Sequence, residues 1–162
     1  MENSKRIDTT DIKQLANSEF VDYADDDVVI VDDLRNFSKL QTIKVDFLLI
    51  IVVKSGRVAM RTNKEENTAS CNDIIICQPN TIINDCLLSI DFTAKAVCIS
   101  AETARKMLHI NEVIDLSFYL KNKPIIHIDE STMETFEKYH TLLSELLTKE
   151  STIYKKQIVG SL

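Results

Sequence analysis

The sequence predicts a mainly β domain followed by helices, and three observations carry that prediction. Between Lys44 and Ser100, short runs rich in β-branched and apolar residues alternate with turn residues at a spacing suited to a sandwich or barrel. After Ser100 the apolar residues recur every three or four positions, the repeat of a helix. The 162 residues, 44% of them hydrophobic, are one domain's worth of material and enough for a sizeable core.

Taken in order, Thr9 to Phe20 places Ile12, Leu15, Ala16 and Phe20 at helical spacing behind Thr10 and Asp11, which can cap a short amphipathic helix. The acidic stretch that follows holds Asp22, Asp25, Asp26, Asp27, Asp32 and Asp33 around the strand-like run Val28 to Val31. Asp22, Asp26 and Asp33 fall at positions 1, 5 and 12 of a calcium loop, but Asp27 stands where that loop requires glycine. A solvated loop entering a strand is therefore expected. Strands are predicted at 44–53, 57–63, 67–71, 74–78, 82–89 and 94–100. Their breaks are Lys54-Ser55-Gly56, Lys64-Glu65-Glu66, Asn72-Asp73, Gln78-Pro79-Asn80 and Asp91, where asparagine and aspartate fill the turn positions that glycine usually takes.

Beyond the strands, Ala101 to Ile110 and Asn111 to Leu120 read as two short helices, and Pro124 to Ile128 as a brief extended run. Ser131-Thr132-Met133-Glu134 has the form of a capping box, so a helix is predicted over 131–149. Thr152 to Leu162 again has helical spacing, and its abrupt end suggests a sequence cut from something longer.

Composition removes several function classes. With two glycines and two prolines, the chain has no P-loop, no Rossmann fingerprint and no G-x-S-x-G elbow, each of which needs several backbone positions open to close approach. A net charge of −6 repels a phosphate backbone, so this chain alone is not expected to bind DNA. No secretory or membrane-spanning stretch is visible, and Cys71, Cys77, Cys86 and Cys98 lack C-x-x-C spacing. A cytoplasmic protein with reduced, packed thiols is expected. His109, His127 and His140 fall in separate elements with no metal spacing, so neither a metal nor another cofactor is expected. Paired acids such as Asp32-Asp33 and Glu65-Glu66 lie in turns and make no acid/base dyad, so no catalytic residue is assigned.

Phe47-Leu48-Leu49-Ile50-Ile51-Val52-Val53-Lys54-Ser55-Gly56-Arg57-Val58, followed by Asn72-Asp73-Ile74-Ile75-Ile76-Cys77-Gln78-Pro79-Asn80-Thr81, resembles the cupin half-barrel. Together with Val28 to Asp33 and Phe92 to Glu102, the pattern resembles the sensor half of the AraC family of transcription regulators over roughly residues 10 to 162. The resemblance implies a jelly-roll, or double-stranded β-helix, barrel followed by α-helices. It implies a sensor barrel over 1–128, with its short N-terminal helix and two short helices after the barrel, and a dimerisation helix with the start of a linker over 129–162. A DNA-binding domain would lie beyond this sequence. The metal-binding histidines of cupin enzymes are missing, and Asn72 replaces the family glycine while still tolerating the left-handed conformation.

The expected function is thus regulatory, not enzymatic: a small effector inside the barrel and a homodimer made by the helix, with DNA reached only through the absent domain and no membrane partner. A metal-free cupin enzyme such as a sugar epimerase is the alternative, though the predicted barrel strands contain no His or Tyr base. A purely structural dimerisation module is the third reading. Alternation puts Val58, Met60 and Thr62 on one face of their strand and Arg57, Ala59, Arg61 and Asn63 on the other. Met60, Thr62, Cys77 and Cys98 are the effector-pocket candidates, against the plainer reading of ordinary core. Met133, Phe136, His140, Leu143 and Leu147 recur at 3, 4, 3 and 4 and are the dimer-contact candidates. Tyr139, Leu142 and Leu146 form a second row beside them, and the sequence leaves open which row meets the partner.

Overall fold

A computed structural model describes residues 8–16, 21–35, 42–107, 118–121 and 123–149. Two sheets face each other. The first runs β1 (Asp8–Thr10), β4 (Thr42–Val45), β9 (Ile82–Leu88), β6 (Arg57–Thr62), β7 (Glu65–Ser70). The second runs β11 (Ile125–His127), β8 (Asp73–Cys77), β5 (Phe47–Ser55), β10 (Thr93–Ser100), β3 (Val28–Val31), β2 (Tyr23–Ala24). Among the described residues, apart from the parallel β1–β4 pair, every pairing is antiparallel. This is the expected jelly-roll architecture. Helices α1 (Ile12–Ala16), α2 (Ala101–Met107) and α3 (Glu130–Lys149) accompany it among the described residues.

The single run expected at 44–53 is two strands in different sheets. Asp46 marks the corner between β4 and β5, its amide donating to the Thr10 carbonyl at 3.1 Å. Ahead of α1, the expected helix start is occupied by β1. Asp11 caps α1: the Gln14 amide donates to its carboxylate at 2.8 Å, while its own amide donates to the Gln14 side chain. The capping box expected at Ser131 does not form. Asp129, one residue before α3, takes the N-cap instead, accepting from the Thr132 amide at 2.7 Å. Of the helix expected over 111–120, residues 118–120 are described and are helical; the segment 152–162 and His109 lie outside the described residues.

Turn geometry follows the chemistry of the turn residues. Asn63 and Lys64, both left-handed, make the tight β6–β7 hairpin, and Asn72 at φ 69° adopts the conformation that a glycine would provide. Gly56, at φ 71°, connects β5 to β6. There the Arg57 amide donates to Ser89 Oγ at 2.8 Å, and Ser55 Oγ donates to the Asp91 carbonyl at 2.7 Å, so this turn is fastened to the β9–β10 turn.

At β3 the second sheet is buried on both faces, which is why this strand reads as an unbroken apolar run and not as an alternation. Val29, Val31, Leu49, Val53, Ala96 and Cys98 face inward into the core between the sheets. Val28, Ile30, Val97 and Ile99 face outward and pack with Tyr23, Ala104, Leu143 and Leu147. α3 thus seats on the outer face of the sheet whose inner face lines the barrel. The ion pair between Lys54 Nζ and Glu137 Oε1, at 2.9 Å, ties the helix to the end of β5.

Candidate functional site

Between the sheets lies a cavity of about 60 Å³. Strands of both sheets supply its wall: Ile43, Val58, Met60, Ile83, Cys86 and Leu88 from the first, Leu49, Ile51 and Ile75 from the second. Leu34 and Phe92 complete it from outside the strands. The volume is several times the roughly 10–15 Å³ that one water needs, but a water there would lack the polar partners that hold buried solvent. Among the described lining residues, the only side-chain heteroatoms are the sulfurs of Met60 and Cys86.

Cys86 reaches this wall through a β-bulge. Ala59 pairs with Leu87 and Arg61 with Asn84, so Met60 alone opposes both Asp85 and Cys86. Asp85 adopts φ 55° and absorbs the extra residue. Strict alternation would send Ile83 and Cys86 to opposite faces; the bulge resets the parity, and both line the cavity. Arg61 braces the kink, reaching Asp85 at 3.3 Å and Glu66 at 2.9 Å.

The four expected pocket residues separate. Met60 lines the cavity. Cys77 and Cys98 belong to the surrounding core cluster but not to the cavity lining. Thr62 is buried farther along β6, accepting a hydrogen bond from Asn67 Nδ2 at 2.7 Å, in a narrow cleft with Gln78 and Thr81. Cys86 was missed because strand alternation does not reveal it; the signal available was Asn84-Asp85, a dipeptide tolerant of the left-handed conformation inside an apolar run.

The buried thiols are held protonated. Burial first, and then the neighbouring Cys86, push Cys77 up to about 12; burial alone pushes Cys98 up; burial and then Asp85 push Cys86 up. As thiols they are apolar filling and weak donors, poor as nucleophiles or metal ligands. Among the described residues, no three His, Cys, Asp or Glu side chains are grouped to hold a metal, and no helix is long and apolar enough to cross a membrane.

On α3 the two apolar rows have different surroundings. Met133, His140, Leu143 and Leu147 are buried and Phe136 is half-buried, so the row chosen as dimer contact is largely covered within the same chain. Tyr139 and Leu142 are 61% and 50% exposed, beside a groove of about 470 Å³ lined by Glu134, Glu137, Lys138, Thr141, Leu142 and Glu145.

No protein-family model and no curated protein sequence matches this chain. Among solved structures it is similar to the AraC-like transcriptional activator CuxR, with 11% identity over 83% of this chain and 48% of that one, at a TM-score of 0.51. A second similarity is to apo ToxT from Vibrio cholerae, with 9% identity over 83% of this chain and 52% of that one, at 0.48. A cupin superfamily protein from Desulfitobacterium hafniense matches 48% of this chain, and 72% of its own, with 10% identity at 0.39. The chain spans about half the length of CuxR and of ToxT. At 11% identity, what it shares with CuxR is the fold.

Proposed function

We propose that the chain is the sensing and dimerisation half of a transcription regulator. The barrel cavity receives a small apolar effector, α3 associates with a second copy, and DNA is read by a further domain. The observation that carries this reading is the shared sheet: Leu49 lines the cavity, while the adjacent Leu48 packs against the cluster that seats α3. One sheet thickness separates effector from helix, so a ligand that spreads the inner wall biases how α3 sits. The fold held in common with an activator of about twice the length supports it. The apolar lining disfavours the epimerase reading, because a sugar ring needs polar partners and a proton-transfer base inside the barrel.

For self-association, the row left exposed on α3 is the better contact. Setting two copies of α3 antiparallel about a two-fold axis between Thr141 and Leu142 brings Lys138 of one copy opposite Glu145 of the other, and Glu134 opposite Lys149. Tyr139 and Leu142 then supply the apolar contact that these pairs flank.

The test is titration with benzene or xenon, observed through isotope-labelled Met, Ile and Leu methyl groups. Saturable shifts are expected at Met60 and Ile83, followed on the same binding curve by Leu143 and Leu147. Cys86→Leu adds two heavy atoms to the cavity and is expected to weaken binding at least tenfold. No saturable shift in the barrel would favour the structural dimerisation module, and barrel shifts without an α3 response would refute coupling through the sheet.

A further inference from the structure

In the buried row of α3, one residue departs from apolar chemistry. The His140 side chain is fully shielded from solvent, yet neither ring nitrogen makes a hydrogen bond of good geometry among the described residues. Leucine at this position would fill the row without leaving polar atoms unpaired, so the imidazole calls for a reason other than packing. Its surroundings supply one. Nδ1 lies 3.4 Å from Asp32 Oδ1 at the end of β3, and the same carboxylate oxygen is engaged by Lys95 Nζ of β10 at 3.3 Å. The Ala96 carbonyl also adjoins the ring, and Asp22, whose carboxylate accepts the Asp32 amide at 2.6 Å, lies farther off. On α3 itself the neighbour is Phe136, its ring centre 6.2 Å away.

We propose that His140 is an acid-operated latch: proton uptake by the buried ring releases α3 from the sheet. Burial, and then the charge of Lys95, hold its proton affinity below the ordinary value of 6.5, outweighing the Asp32 carboxylate (shared with Lys95), the Ala96 carbonyl and Asp22, all of which pull the other way. The neutral ring therefore fits the closed seat, and the charged ring is better accommodated where water reaches it. Because the affinity is lowered in the seated state, the stabilisation is fully present above pH 6.5 and is lost as the pH falls through the seated-state value.

Hydrogen-exchange protection factors between pH 7.5 and 5 test this on the 162-residue chain. In the wild type, amides of 143–147 are expected to lose protection by up to about tenfold per pH unit below 6.5, the slope for one proton, while β5 and β10 stay protected. His140→Leu is expected to flatten that dependence, Lys95→Gln to shrink it, and His127→Gln, which removes the other described histidine, to leave it unchanged. A flat wild-type profile, a His140→Leu profile like the wild type, or loss of the effect in His127→Gln would each overturn the latch. Should His140→Leu fail to fold, an unchanged profile in Lys95→Gln overturns it by itself.

Discussion

Gly56→Ala is expected to destabilise the domain by about 3 kcal/mol or more, read as a lowered urea midpoint with an unchanged slope. A Cβ at this position would lie 2.6 Å from the Phe92 Cα, the Phe92 amide nitrogen and Ser89 Oγ. Two of these three are backbone atoms of a turn already fixed by hydrogen bonds from Ser55 and Arg57, so relief requires moving the β9–β10 connection. The left-handed φ of 71° adds its own penalty. Asn72→Gly provides the comparison, since Asn72 is left-handed with a side chain already accommodated, and it is expected to stay within about 1 kcal/mol of the wild type. A Gly56→Ala change of a few tenths would mean that the two turns are not locked together.

Leu143→Asp is expected to have a comparable effect by another route. Leu143 lies in the cluster between α3 and the second sheet, against Tyr23, Val28, Ile30, Val97 and Ile99. Removing it forfeits about 1.5–3 kcal/mol of burial, and a carboxylate in its place would be desolvated among apolar side chains. The helix should lift while the barrel persists, because the core between the sheets is a separate cluster. The checks are loss of the near-ultraviolet circular dichroism of Tyr23, which hydrogen-bonds Asp25 at 2.6 Å, and retention of the β far-ultraviolet signal. Unchanged Tyr23 ellipticity would remove α3 from that cluster.

What the sequence made legible is what alternation and turn chemistry control. The strands from Arg57 to Ser100 fall within a residue or two of their expected bounds, because Asn72 and Asn80 announce left-handed turns; at the β6–β7 hairpin the turn takes Asn63 and Lys64, one residue earlier than the expected break Lys64-Glu65-Glu66. The corner at Asp46 was not legible: Lys44 and Asp46 read as the polar positions of one alternating strand, and only the packing of β1 and β4 decides where the chain turns. The cavity was half legible. Met60 follows from simple alternation, whereas Cys86 depends on a bulge whose position is set by cross-strand register. Likewise, the 3–4 repeat on the last helix displays two apolar rows without saying which one the sheet covers. That choice rests on Val28, Ile30, Val97 and Ile99, which face outward more than thirty residues away in sequence.

Sedimentation equilibrium of the wild type beside Leu142→Asp tests most directly whether the exposed row of α3 joins two copies. Leu142 stands in the exposed row of α3, so aspartate there costs the single chain little; at a self-association contact, two carboxylates would meet near the two-fold axis in place of the apolar contact. A wild-type dimer is expected and, for Leu142→Asp, a monomer with wild-type circular dichroism and unfolding midpoint. A monomeric wild type, or a Leu142→Asp variant that dimerises as tightly as the wild type, would contradict this reading.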